Sequence, residues 1–234
     1  MKVDIWSDVR CPFCYIGKHA FEKALAEFPR REDVEVVWHS FELDPHLKTQ
    51  PELSMYDYIG QLKGLSPEDV REMHERVSEM GASQGIFFEF ERAVVANSLD
   101  AHRLIQFAKS KGMAGKAEEA LFEAYFSGGV NIDDPEALVR IGTGIGLPEE
   151  ELRPALVSDA LTAEVRADER QAASLGIRGV PFFVFNGKYG VSGAQPSEVF
   201  FKTLDTVWKE FEKENTLTVI EGDTCTPDGI CAKN

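Results

Sequence analysis

Two cysteines stand two residues apart in Cys11-Pro12-Phe13-Cys14, directly after the short apolar run Val3-Asp4-Ile5-Trp6 and directly before a helix-periodic segment. Thiols at that spacing close a small disulfide ring at little loop-closure cost. At a helix N-terminus the first sulfur meets free backbone N–H groups and the positive end of the helix dipole, which favours its thiolate. Pro12 suits the first helical turn, where a missing N–H is no loss. This is the pattern of a working dithiol. Zinc sites share the spacing, but no second Cys-x-x-Cys or Cys/His pair at zinc-ligand spacing accompanies it, so no metal is expected.

A second signal comes from far along the chain, in Gly176-Ile177-Arg178-Gly179-Val180-Pro181. A proline cannot donate to a ladder, so its place at the start of an interior-looking strand is unusual. A cis Val180–Pro181 bond accounts for it, since cis peptides are nearly confined to X-Pro.

The elements that must position these residues follow from periodicity. A strand over 2–6, a helix over 12–28 ended by Pro29, and an alternating strand over 34–41 make a β-α-β unit with parallel strands and a right-handed crossover. Helical segments then follow over 55–81, with a break where Ser66 caps and Pro67 opens the next turn. Further helices are expected over 98–111, 116–126, 135–142, 149–156 and 160–175. Strands return over 181–185 and 189–192 around Asn186-Gly187, a strong hairpin signal, before a last helix over 196–214. The fold class is therefore α/β: a thioredoxin-like β-α-β … β-β-α layout interrupted by a large all-helical insertion. Its expected divisions are 1–48 with 176–215, the insertion 49–175, and a tail 216–234.

CPFCY, the Gly-Val-Pro before the hairpin and the helical insert together resemble the DsbA family of thioredoxin-fold oxidoreductases. Phe41-Glu42-Leu43-Asp44-Pro45 and Asn97-Ser98-Leu99-Asp100-Ala101-His102 are similar to its FrnE-like branch. The resemblance covers about residues 2–215. It implies a protein thiol–disulfide oxidoreductase or isomerase with no cofactor, Cys11 as the attacking thiolate and Cys14 as the resolving cysteine. It also implies a cis Pro181 beside the sulfurs, with Val180 pairing to an extended substrate, so Val180, Pro181 and Phe13 are the expected substrate contacts. Pro12-Phe13 offers no histidine, which points to a less extreme thiolate than in strongly oxidising relatives. Those relatives place a buried acid six residues before the nucleophile, where this chain has Ile5. Asp8, Glu42 or water must then assist proton transfer from Cys14, although Asp8 reads first as a turn or cap residue.

Cys225 and Cys231 flank the turn sequence Pro227-Asp228-Gly229 beyond the region of resemblance. A local disulfide pinning the tail, a second redox pair exchanging with Cys11/Cys14, and a four-cysteine zinc site all remain open. Other residues read as structural. His39 and His102 are expected as hydrogen-bonded core or interface histidines, His74 as a surface residue, and Phe87, Phe88 and Phe90 as helical-domain core. Gly142-Thr143-Gly144-Ile145-Gly146 follows a helix, so it is a helix-ending turn and not a phosphate loop.

The net charge of −15 argues against generic binding to nucleic acid or anionic membranes. No secretory leader or membrane span is legible, which points to the cytoplasm. Expected partners are protein substrates bearing thiols or disulfides, with a thioredoxin or glutathione system as electron partner. Two alternatives compete. One is glutathione-dependent isomerase or transferase chemistry of the kappa-like branch, whose members usually carry serine in place of Cys11. The other is a non-enzymatic peptide-binding holdase.

Overall fold

A computed structural model describes residues 1–214, with the backbone alone of 215, 224–225 and 231–232. Strand β1 (Lys2–Ser7) is buried on both faces from Val3 onward and lies inside a four-stranded sheet. It leads into helix α1 (Pro12–Glu27), and a single 3₁₀ turn carries the chain on to β2 (Glu35–Ser40). Six helices come next and, with α8 (Asp159–Ser174) after them, build the insertion. They are α2 (Met55–Lys63), α3 (Pro67–Ala82), α4 (Leu99–Ser110), α5 (Ala114–Phe126), α6 (Pro135–Gly144) and α7 (Glu149–Leu156). Helix α8 (Asp159–Ser174) brings the chain back to strands β3 (Phe182–Phe185) and β4 (Tyr189–Ser192), and α9 (Ser197–Asn215) covers the sheet. The sheet order is β2-β1-β3-β4, with β1 parallel to β2 and antiparallel to β3, as the thioredoxin-like reading requires.

Local chemistry accounts for the boundaries. Ser66 and Asp69 form a reciprocal capping box on α3, and Asp134 caps α6 ahead of Pro135. The β3–β4 turn places Asn186 and Gly187 at φ 50° and 68°, the left-handed pair that a two-residue hairpin needs. The run 86–90 forms no strand; Phe90 is buried there, but Phe87 is 73% exposed, so it is not core.

Helix α1 divides its loyalties. Ala20, Phe21 and Ala24 pack with Ile5, Phe183, Phe185 and Phe200 in the core between sheet, α1 and α9. Cys11, Cys14, Tyr15 and Ile16 belong to the core of the helical insertion, with Leu104, Phe122 and Phe126. The dithiol thus sits where the two cores meet.

The insertion is pinned at two places, one on the sheet and one on α1. Asp168 of α8 accepts from the Ser40 N–H (2.9 Å) and from Gln106 Nε2 (2.6 Å), and meets His39 Nδ1 at 2.8 Å. The other His39 nitrogen lies 2.7 Å from Asp4, and its ring stacks on Trp6. Burial opposes charge on His39, but hydrogen bonds to Asp168 and Asp4 outweigh it and raise its pKa. On α1, Lys18 and His19 both engage Glu119 of α5, at 2.5 and 3.0 Å.

Candidate active site

Cys11 is the N-cap of α1, in extended conformation, with Pro12 opening the helix. No side chain caps that terminus and no acid occupies its first turn, so its dipole is left to the sulfur. The Cys14 N–H returns to the Cys11 carbonyl at 3.0 Å, closing the turn that sets the two thiols side by side. Both are free thiols; Cys11 is 5% and Cys14 1% exposed. Burial pushes the Cys14 thiol well up, and its hydrogen bond to Cys11 and the charge there push it further.

The Val180–Pro181 peptide is cis, and the Cys11 thiol donates to the Val180 carbonyl at 3.6 Å. The close approach of Pro181 depends on Gly17, one residue past Ile16 on α1: a Cβ there would lie 3.1 Å from Pro181 Cγ. Phe13, between the cysteines in sequence, is 40% exposed and lines the cavity beside Cys11. Of the residues read from sequence, Cys11, Cys14, Phe13, Val180 and Pro181 are therefore one neighbourhood. The Cys225 and Cys231 side chains lie outside the described residues; only the pairing of β5 (Thr224–Cys225) with β6 (Cys231–Ala232), which sets the two positions opposite each other, is described.

A cavity of about 520 Å³ opens beside Cys11, between the dithiol loop and helices α2 and α3. Phe13, Leu43, Met55, Ile59, Leu62 and Phe90 give it apolar walls. Arg10 lies along it, donating to the Tyr58 hydroxyl at 3.0 Å. His74 also lines it, and here the surface expectation is corrected. His74 is buried and stacks on Phe90 at 4.3 Å, because it continues the Val70–Val77 face of a helix whose other faces are charged.

Behind the cysteines lies a buried polar cluster that sequence reasoning only half anticipated. Asp8 does make the expected turn, accepting from the Arg10 N–H at 3.1 Å. It is also wholly buried, accepts from the Leu43 N–H at 2.8 Å, and stands 3.6 Å from His102 Nε2. His102 is the core histidine expected, fully buried, but it is not hydrogen-bonded: its ring meets Asp8 as an ion pair at 3.6 Å. Glu118 of α5, which the sequence did not single out, takes a bond from the Ser7 hydroxyl at 3.3 Å. Glu42 pairs with Arg166. Among the described residues, no group of three or more His, Cys, Asp or Glu is placed to hold a metal ion. No helix there is long and apolar enough to cross a membrane.

Comparison with known proteins fits this geometry. The family model described as a DSBA-like thioredoxin domain matches residues 2–205. A crystal structure of a probable DsbA oxidoreductase from Streptomyces coelicolor is 41% identical, with a TM-score of 0.85, covering 100% of this chain and 99% of that one. The uncharacterized protein YwbO of Bacillus subtilis strain 168 is 27% identical over 210 residues, 89% of this chain and 98% of its own. The cytosolic disulfide reductase DsbM of Pseudomonas aeruginosa shares the fold at 18% identity and a TM-score of 0.61, covering 92% and 98% of the two chains. DsbM has also been solved with GSH.

Proposed function

The chain belongs to the DSBA-like thioredoxin domain family, a family of oxidoreductases, and from that premise we propose that it is a protein thiol–disulfide oxidoreductase of the FrnE-like branch. Cys11 is its nucleophile and Cys14 its resolving thiol. The observation that carries this reading is the Cys11 sulfur at the uncapped N-terminus of α1, 3.6 Å from the Val180 carbonyl.

With the ring reduced, the Cys11 thiolate attacks a substrate disulfide and expels one substrate thiolate. Cys14, once deprotonated, attacks Cys11 Sγ, releases the second substrate thiolate and leaves the ring oxidised. With the ring oxidised, the same steps run in reverse and the substrate gains a disulfide. Buried Cys14, whose thiol is held protonated, cannot compete with Cys11 for the first attack.

The apolar walls of the cavity beside Cys11 fit apolar side chains of an unfolded substrate segment. Val180 offers backbone, and Phe13 an exposed ring, to that segment. Electrons are exchanged with a glutathione or thioredoxin system in the cytoplasm, or with Cys225/Cys231 as an auxiliary pair.

Insulin reduction with wild type, Cys11→Ser and the Cys225→Ser/Cys231→Ser double variant tests the proposal. Turnover in wild type and none in Cys11→Ser is expected. A wild type that cannot reduce insulin but suppresses its aggregation would favour a holdase, and glutathione-conjugate chemistry surviving Cys11→Ser would favour the kappa-like alternative.

A further inference from the structure

A second concave space, a cleft of about 470 Å³, adjoins the cavity beside Cys11. His74 and Phe90 line both, so that stacked pair is a shared wall. The chemistry on its two sides differs. The walls beside Cys11 are apolar, whereas the cleft presents Glu75 and Glu79 from α3, Glu89 and Glu91 from the segment after α3, and the half-buried rings of Tyr56 and Phe88. Resting on the oxidoreductase reading, in which an unfolded chain lies across the apolar cavity, we propose that this cleft is a subsite for a basic side chain of the substrate, arginine before lysine.

Two features of the cleft call for a cation. Its carboxylates are unpaired: among the described residues none of the four has an ion-pair partner, and the ion pair within α3 joins Glu72 to Arg76. Glu91 and Glu75 come from separate segments yet both act on Tyr56, whose pKa burial raises first and these two charges raise further, with Arg71 opposing them. The second feature is His74, which is 5% exposed and has no hydrogen-bond partner for Nδ1. Burial lowers its pKa from 6.5, so the ring is neutral at pH 7 and keeps one nitrogen as an acceptor. A buried imidazole without a partner needs an explanation, and an N–H donor seated in the cleft against it is one.

The mixture of rings and carboxylates selects the kind of cation. Among the described residues, no group of three or more His, Cys, Asp or Glu converges as a metal ion requires. A guanidinium is planar and weakly hydrated, lies against aromatic faces and forks onto carboxylates. Lysine brings the same charge without the fork. The net charge of −15 draws cations to the whole surface, but a diffuse field cannot favour a cation at one place along a peptide. The cleft can. Spaces of this size that share a wall are centred on the order of 10 Å apart, about three residues of extended chain. An arginine at about that separation from the reacting cysteine therefore reaches the carboxylates while an apolar neighbour of the cysteine fills the cavity.

The test uses the full chain, reduced, and peptides whose single cysteine is joined by a disulfide to 5-thio-2-nitrobenzoate. The Cys11 thiolate attacks the peptide sulfur, that S–S bond breaks, and the coloured nitrobenzoate thiolate, the better leaving group, departs. Cys14, once deprotonated, then attacks Cys11 Sγ and releases the peptide thiolate. The two protein sulfurs end oxidised and both halves of the probe reduced. Subtracting the rate of Cys11→Ser removes reaction at other thiols. Each peptide carries leucine beside the cysteine and either arginine or glutamine three positions away, before the cysteine in one series and after it in the other.

At low salt, the arginine peptide of at least one series should react roughly tenfold faster than its glutamine counterpart, as a few exposed ion pairs and one ring contact supply. Glu75→Gln/Glu79→Gln/Glu89→Gln/Glu91→Gln should erase that ratio. Glu27→Gln/Glu150→Gln/Glu164→Gln/Glu198→Gln removes the same charge from exposed positions outside the cleft and should keep it. Equal rates for arginine and glutamine peptides in wild type would overturn the inference and leave the oxidoreductase reading intact. A ratio that survives the cleft substitutions, or that falls as far with the distant ones, would overturn it too, because net charge and not the cleft would be its cause. If wild type reacts with no peptide faster than Cys11→Ser does, both readings fall.

Discussion

Replacing Asp168 by asparagine should loosen the helical insertion from the sheet in a pH-dependent way. The Asp168 carboxylate takes three hydrogen bonds, from His39, the Ser40 N–H and Gln106, across three elements. Asparagine keeps the shape but removes the charge and turns one acceptor into a donor, leaving buried His39 with Asp4 alone. Breaking a buried, hydrogen-bonded charge pair costs about 3–5 kcal/mol. For a chain of this size that corresponds to a fall in unfolding midpoint of roughly 6–20 °C. Because the folded pKa of His39 is raised from 6.5, its contribution is fully present below 6.5 and is lost as pH rises through the folded value. Asp168 is depressed, so its own contribution holds above 3.8 and fades only in stronger acid. Urea unfolding of wild type and Asp168→Asn at intervals from pH 5.5 to 9 should thus show a stability gap that is widest near pH 6 and narrows towards pH 9. A gap under about 1 kcal/mol, or one that is constant across that range, would refute the reasoning.

Other perturbations separate packing from catalysis. Gly17→Ala gains helix propensity worth up to about 1 kcal/mol while pressing on Pro181, so stability should change little and insulin turnover should fall several-fold. Leu62→Glu, at a position 61% exposed on the rim of the cavity, should raise KM for an unfolded protein roughly tenfold, from the lost burial of one leucine, and leave the reaction with oxidised glutathione unchanged. Glu119→Gln removes the carboxylate that Lys18 and His19 share, leaving Lys18 with Glu22. Burial opposes ionisation there, but the bond from His19 and the charge of Lys18 hold Glu119 down to about 2. The stabilisation it supplies is therefore present above 4.5 and lost as pH falls towards 2, and acid-unfolding curves of wild type and variant should converge in that window.

How much was legible in sequence depended on the range of the interaction. Cys11-Pro12-Phe13-Cys14 declares its own helix start, and Asn186-Gly187 its own turn, because the determinants are adjacent residues. Val180-Pro181 was legible as an oddity, a proline where a strand begins. Asp168 and Glu118 were not, since each is one of many acids on an amphipathic helix, and only the packing of α8 and α5 against the sheet end turns them inward. Gly17 reads as an ordinary helical glycine until Pro181 arrives from over 160 residues away. His74 was misread because the charges of α3 hide how narrow its apolar face is. Burial of a polar side chain is a tertiary fact, and one strand or helix cannot announce it.

The central claim is that Cys11 makes the first attack and Cys14 resolves it. Incubating the Cys14→Ser variant with a disulfide-containing unfolded protein and mapping the trapped adduct by peptide mass spectrometry tests it most directly. The account predicts a stable mixed disulfide on Cys11, and no adduct through Cys14 in Cys11→Ser. A Cys11→Ser variant that still forms an adduct through Cys14, or that still turns substrate over, would contradict it.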